Sequence, residues 1–140
     1  MGAHLHWANL SRVSAFSVNF SSADLAHAQF NAAGLVGANF TNAILTDANF
    51  AGASFLTANM QNAHCLRTDF NGANIAGVDF SGADLAYANL KGVTDWSNIY
   101  SLKSANIYSV TNAPDGFLEW ATNRMGAIIY KSVDAWSVTE

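Results

Sequence analysis

The sequence predicts an all-β solenoid, in which the chain winds into stacked square coils of about twenty residues each. Every fifth residue from Leu5 to Leu90 is apolar. The residue two places earlier, from Ala3 to Ala88, is Ala or Val at every unit except Thr68. A repeat of this regularity favours one architecture along the chain, and it leaves the function to be sought in the surface residues.

A period of five fits neither an α-helix nor a flat strand. Five residues advance a helix by about 500°, so successive large residues would rotate around it by about 140°. On a flat strand, an odd step would place alternate large residues on opposite faces. The small and large residues of one unit lie two apart and point the same way, so the chain must turn in the remaining three. A right-angle turn in each unit closes a coil after four units, and stacked coils pair as parallel strands about 4.8 Å apart.

Sorting the large residues with a period of about twenty separates aromatic-rich columns from mainly aliphatic ones, which supports four units per coil. The aromatic-rich columns are Leu10, Phe30, Phe50, Phe70, Leu90 and Phe20, Phe40, Met60, Phe80. The aliphatic columns are Leu5, Leu25, Leu45, Cys65, Leu85 and Ala15, Leu35, Phe55, Ile75. Each buried Leu or Phe contributes about 1.5–3 kcal/mol of transfer free energy. We expect Cys65 to be a buried small hydrophobe and not a reactive thiol.

Asn or Asp commonly precedes the large residue, as in the column Asn19, Asn39, Asn59 and Asp79. Such side chains bond readily to nearby backbone in turns, so we expect them to bond to the backbone at each corner or to the next coil.

The units SGADL, AYANL, NGANI and VGANF resemble those of the pentapeptide-repeat family, whose consensus is A-(D/N)-L-x-x. The resemblance covers about residues 3–94 and implies a right-handed quadrilateral β-helix with the small and large residues inside. The expected fold is therefore such a β-helix of about 4.5 coils with a short C-terminal helix. The best-known activity in this family is protection or inhibition of DNA gyrase by an acidic β-helix that resembles duplex DNA. Some members also dimerise through C-terminal helices.

The regular pattern ends at Asp95, where a large apolar residue is expected. We therefore divide the single domain into a β-helix at residues 1–95 and a second part at residues 96–140. This second part comprises an irregular last coil, a capping helix and a C-terminal tail. The sequence predicts the helix from Phe117 to Met125, starting near Pro114 or Asp115 and stopping at Gly126. Ile128, Ile129 and Tyr130 are predicted to add an edge strand.

The N-terminal coil has no comparable cover, because Ala3 and Leu5 already lie in the repeat. Solenoids normally cap that end. Either the chain is one part of a longer protein, or a partner stacks there. We expect a protein partner or self-association, with a homodimer through the uncapped end or through the C-terminal helix as alternatives.

No catalytic, metal or cofactor site is predicted, so we expect a protein that is not an enzyme. His4 and His64 lie three coils apart, about 14 Å, which is too far to share a zinc ion. The sequence has no G-x-S-x-G, phosphate loop or paired-Cys pattern, and its carboxylates are scattered. Six basic and ten acidic residues give a net charge of −4, too mild to predict direct nucleic acid binding. With no predicted membrane span or signal peptide, a cytoplasmic location is the default expectation.

Two outward-facing columns are candidate binding surfaces. The first, which we name the apolar stripe, consists of Phe16, Val36, Leu56 and Trp96. A contiguous exposed apolar surface commonly marks a binding site, although the C-terminal segment could instead fold over it. The second, which we name the mixed strip, consists of Trp7, His27, Arg67 and Tyr87. It is either a weaker recognition surface or a solvated face.

The leading functional hypothesis is a non-enzymatic structural or protein-binding scaffold, and the alternative is a DNA-mimicking modulator of DNA gyrase. A rod of about 4.5 coils is about 22 Å long, a length over which duplex DNA carries about 13 negative charges. Residues 1–95 hold six aspartates against Arg12, Arg67 and Lys91, a net of three negative charges. The charges therefore favour the scaffold.

Overall fold

The computed structural model describes residues 2–129, in which the backbone winds into stacked coils joined by single-residue parallel β-bridges. A bridge residue occurs at every fifth position, and it pairs with the residue twenty positions later. The first coil shows the pattern with four bridges, which are His4 with Asp24, Asn9 with Gln29, Ser14 with Gly34 and Asn19 with Asn39. Four bridges make the four sides of a square coil, as the twenty-residue sorting predicts.

Each corner is a two-residue turn whose second residue has a positive φ, such as 64° at Trp7 and 69° at Gly52. The Asn and Asp side chains close these corners. Their Oδ1 atoms accept hydrogen bonds from the backbone N–H two residues later, at 2.9 Å for Asn19 and Asn39, 3.0 Å for Asn59 and 2.9 Å for Asp79. The predicted structural role of this column is confirmed.

The interior contains the small and large residues of the repeat, close-packed along the solenoid axis. Phe30, Phe50 and Phe70 form a stack with ring centroids 4.8 and 5.7 Å apart. Cys65 is also completely buried, and burial, with a smaller contribution from the charge of Asp84, raises the pKa of its thiol. Cys65 is therefore a core residue, as expected.

The repeat resumes after Asp95 and does not end there. A 3-10 helix at Trp96–Asn98 takes up two extra residues, and the pairing step then becomes twenty-two, as in Asp79 with Ser101 and Asp84 with Asn106. Leu102 and Ile107 return to the interior and are buried. The last coil thus has one irregular corner and otherwise keeps its bridges. The predicted count of about 4.5 coils assumed twenty residues in every coil. Because the interval between paired residues changes to twenty-two, this count stays a prediction.

Helix α1 spans Phe117–Met125, the residues for which the sequence predicts a helix. It follows Gly116, at φ 82°, and ends before Gly126, at φ 72°. Phe117 and Ala121 are buried. Beyond α1, Ile128 forms a bridge with Asn106. Tyr130 and the tail lie outside the described residues. Within residues 2–129, no helix has the length and apolar content needed to cross a membrane.

Candidate protein-binding surface

The apolar stripe occupies the first turn residue on one side of successive coils. Its members lie one above another because backbone hydrogen bonds join the corners, from the N–H of Ser17 to the carbonyl of Val36 and from Gly37 to Leu56, both at 2.9 Å. Phe16 is 63% exposed and Leu56 is 42% exposed, and Val36 between them is half-buried.

Gly34 leaves the space into which the Phe16 ring leans. A Cβ added at Gly34 would lie 3.4 Å from Cε1 of Phe16, so the ring already rests against the second coil. The Phe16 side chain therefore lies against the second coil and does not project freely into solvent.

Trp96 does not belong to this exposed surface, which corrects the sequence interpretation. Its ring packs edge-on against Phe117 and Trp120 of α1, with centroids 5.8 and 5.2 Å apart, and the residue is half-buried. The 3-10 helix changes the corner at this point and turns Trp96 under α1. The alternative that the C-terminal segment covers the stripe is thus right for Trp96, while Phe16 and Leu56 remain exposed.

The mixed strip is a ladder of paired side chains. The Trp7 ring stacks on His27, with centroids 4.1 Å apart and planes 4° from parallel. His27 Nε2 lies 3.9 Å from Oδ2 of Asp47. Arg67 donates two hydrogen bonds to the same carboxylate, at 2.8 and 2.9 Å. The Arg67 guanidinium holds the pKa of Asp47 below its usual value.

Tyr87 continues the mixed strip and meets Tyr108 edge-on, with ring centroids 5.6 Å apart. Sequence reasoning identified Tyr87 but missed Tyr108. With the pairing step of twenty-two, Ser109 stacks on Tyr87 and Tyr108 is the turn residue just before it, so Tyr108 reaches Tyr87 from the neighbouring column. The opposite charges of Asp47 and Arg67, twenty residues apart, were the signal for the ion pair. The polar side chains of the mixed strip bond largely to one another. The strip therefore resembles a solvated face with internal ion pairs more than an open recognition site.

Two open depressions adjoin helix α1, and the larger, of about 340 Å³, is lined in part by Pro114 and Leu118. The other depression, of about 250 Å³, is lined by Gly116, Glu119, Trp120, Asn123 and Arg124. Across residues 2–129, no three His, Cys, Asp or Glu side chains come together in a group that could hold a metal ion.

Comparison with known proteins identifies the repeat. The family model for pentapeptide repeats matches residues 23–62, 33–74 and 63–94, with eight copies. Together these matches span residues 23–94, just over half of the chain. No curated protein sequence matches the chain significantly.

Three solved pentapeptide repeat proteins are similar in fold. One, from the thylakoid lumen of Arabidopsis thaliana, has a TM-score of 0.54 and 23% identity, covering 87% of this chain and 77% of its own. Another, from the cyanobacterium Cyanothece 51142, has a TM-score of 0.52 and 18% identity, with coverages of 87% and 88%. The third, from Nostoc PCC 7120, has a TM-score of 0.52 and 24% identity, with coverages of 80% and 84%. At these identities the likeness shows the fold alone. The matched repeats and the shared fold show that the chain belongs to the pentapeptide-repeat family, whose members form right-handed quadrilateral β-helices.

Proposed function

We propose that the protein is a non-enzymatic scaffold that binds another protein through the apolar stripe of Phe16, Val36 and Leu56. The observation that carries the proposal is the placement of these three apolar residues one above another on three successive coils, with Phe16 and Leu56 exposed. An exposed apolar column on a hydrogen-bonded backbone binds at a low cost in ordering entropy.

The pentapeptide-repeat fold is generally a non-catalytic scaffold. We propose as part of this function that the chain has no enzymatic activity. Two of its chemically reactive side chains support this, because one is buried and the other is bound in an ion pair. Cys65 is buried in the core, and the carboxylate of Asp47 accepts two hydrogen bonds from Arg67. A cytoplasmic location also belongs to the proposal, and fluorescence microscopy of the tagged protein tests it.

The test compares two variants that carry the same added charge on different faces. In Val36→Asp/Leu56→Asp the charges enter the apolar stripe. In the matched control Asn42→Asp/Asn62→Asp they enter exposed corners elsewhere. We expect proteins that crosslink to the wild type and to the control in cells of the source organism to be lost from the stripe variant, while all three chains keep the same circular dichroism spectrum. An identical set of crosslinked proteins for all three chains would remove the stripe from consideration.

The alternative, a DNA-mimicking modulator of DNA gyrase, has weaker support in the charges. Among the aspartates of residues 1–95, Asp84 is completely buried and Asp47 is bound to Arg67, so fewer negative charges face solvent than the sequence suggests. A gyrase supercoiling assay with about 10 µM protein decides between the two functions, since most specific protein complexes form below that concentration. Unchanged supercoiling rejects the alternative, and inhibition or protection of gyrase contradicts the scaffold proposal.

A further inference from the structure

The first coil, residues 3–22, presents an open side that faces away from the second coil, and we name this side the N-terminal edge. Within the solenoid, a bridge residue directs both of its backbone groups toward the preceding coil. Gly34 donates its N–H to the carbonyl of Val13 and accepts from the N–H of Ala15, both at 2.8 Å. Ser14 occupies the corresponding place in the first coil, which has no coil before it in the described residues.

Among residues 2–129, the backbone groups of the N-terminal edge are consequently unpaired. In the structure from residue 2 to residue 129, neither the N–H nor the carbonyl of Asn9, Ser14 or Asn19 makes a backbone hydrogen bond. An exposed row of such groups is a ready template for another β-structure.

The apolar interior is also uncovered at this edge. Leu5, Leu10 and Phe20 are half-buried, whereas the residues one coil further, Leu25, Phe30 and Phe40, are completely buried. Trp7, Phe16 and Val18 of the same coil are exposed apolar side chains. Unpaired backbone and uncovered core thus coincide on one end of the solenoid.

The direction of the unpaired groups selects the kind of partner. A residue that presents its N–H and its carbonyl on one side forms two hydrogen bonds with an antiparallel partner residue that does the same. A parallel partner coil would instead have to offer its C-terminal side, and in the described chain that end of the solenoid is occupied by α1. The N-terminal edge of a second copy offers the matching groups, five residues apart, on all four sides.

The charges of the first coil permit two copies to meet. Residues 3–22 contain no carboxylate, and their charged side chains are Arg12 and, when protonated, His4 and His6. Facing edges therefore bring together one arginine from each copy, a single like-charge pair to overcome.

We propose that the N-terminal edge is the interface of a homodimer, in which two copies related by a two-fold axis meet end to end with antiparallel pairing of their bridge residues. The partner of this surface is a second copy of the same chain. The dimer uses a different surface from the apolar stripe. If Val36 and Leu56 bind no protein partner, the proposed function fails but the dimer proposal does not.

Sedimentation velocity over about 1–100 µM, the range of ordinary protein dimers, tests the proposal together with Ser14→Pro. Proline removes an N–H that has no acceptor among residues 2–129, so we expect this variant to keep the fold and to lose the interface bond. Ser54→Pro is the matched control, because the N–H of Ser54 donates to the carbonyl of Ala33 at 3.0 Å inside the solenoid. We expect Ser14→Pro to weaken dimerisation by about tenfold or more at unchanged helix and strand content, and Ser54→Pro to disrupt the fold.

A second variant, Asn9→Asp/Ser14→Asp, keeps the interface testable should proline disturb the coil. It places two negative charges on each facing edge, while the carboxylate introduced at position 9 retains an acceptor for the N–H of Ser11, which lies 3.1 Å from Oδ1 of Asn9 in the wild type. We expect its dimer to weaken about tenfold at low salt and to recover at high salt. Val36→Asp/Leu56→Asp should dimerise as the wild type does. A monomeric wild type at every concentration overturns the proposal. A dimer that persists in both edge variants also overturns the proposal and would point to the C-terminal helix as the interface. A dimer that is abolished only in the stripe variant overturns it as well.

Discussion

Phe50 lies at the centre of the interior stack, so replacing it by alanine measures how the solenoid is held together. The Phe50 side chain is completely buried and meets four other rings. The ring centroids of Phe30 and Phe55 are 4.8 Å away, and those of Phe70 and Phe40 are 5.7 and 5.8 Å away.

The expected loss of unfolding free energy for Phe50→Ala is about 4–5 kcal/mol. Burial and the residual cavity account for about 3–5 kcal/mol in a typical core. Two features place this site near the upper end. The four ring contacts are worth about 0.5–1.5 kcal/mol each beyond their buried area, although they are not additive. The Phe50 N–H also donates to the carbonyl of Asp69 at 2.7 Å, so the hydrogen-bonded coil resists collapse into the cavity.

Urea unfolding followed by circular dichroism at 25 °C measures the loss, with Phe16→Ala as the matched control. Phe16 is 63% exposed, so the same substitution there should lower the free energy of unfolding by about 1 kcal/mol or less. A loss below about 2 kcal/mol at Phe50, or equal losses at the two positions, would refute the reasoning that burial among four rings makes Phe50 strongly stabilising.

Three further predictions concern single side chains. Thr68→Val should lower the unfolding free energy by about 1 kcal/mol or less in urea titration, because the buried hydroxyl's bond to the Leu45 carbonyl (2.9 Å) is replaced by a methyl group of similar size. Cys65 should react with a disulfide reagent only after denaturant is added, since burial raises the pKa of its thiol; fast labelling of the folded protein would contradict this placement. Asp47 has a lowered pKa, so its pairing with Arg67 stabilises the fold above the ordinary value of 3.8 and less as pH falls through the folded-state value. The stability difference between wild type and Asp47→Asn, about 0.2–1 kcal/mol for a solvent-open pair, should therefore shrink below pH 3.8, and thermal melts from pH 7 to pH 2 detect a difference that persists.

Much of the fold was predictable because the spacing of the repeat determines which side chains point inward and which residues stack. The two-residue offset between Ala28 and Phe30 places both side chains inside, and sorting by twenty identifies Phe50 as the residue stacked on Phe30. Helix α1 was predictable as well, since Gly126 ends a short apolar segment after Pro114.

The corner after Asp95 was not predictable from the fivefold pattern. Two inserted residues shift the fivefold spacing of the sequence after Asp95. The bridges on the other sides of the coil are nevertheless kept, so the sequence loses its register while the coil continues. Ala105 and Ile107 keep the small-to-large spacing and were the available signal. The same insertion explains why Trp96, a member of the apolar stripe by counting, packs against Trp120.

The contacts within the mixed strip were also beyond sequence reasoning. A period of twenty predicts which residues share a column, but it does not distinguish a solvated side chain from one that stacks, as Trp7 does on His27. That distinction depends on side-chain rotamers, which the repeat leaves free on the outside of the solenoid.

The unequal ends of the solenoid give its unfolding a direction. Each coil contacts only its neighbours, so a coil with one neighbour is the least protected unit in the array. Within residues 2–129 the first coil has one neighbouring coil, whereas helix α1 follows the last coil. In a single copy of this chain we therefore expect local unfolding to begin in the first coil, and amide exchange to slow progressively from Leu10 toward the Phe50–Phe70 stack. In this molecule, position along the axis sets the lifetime of local structure.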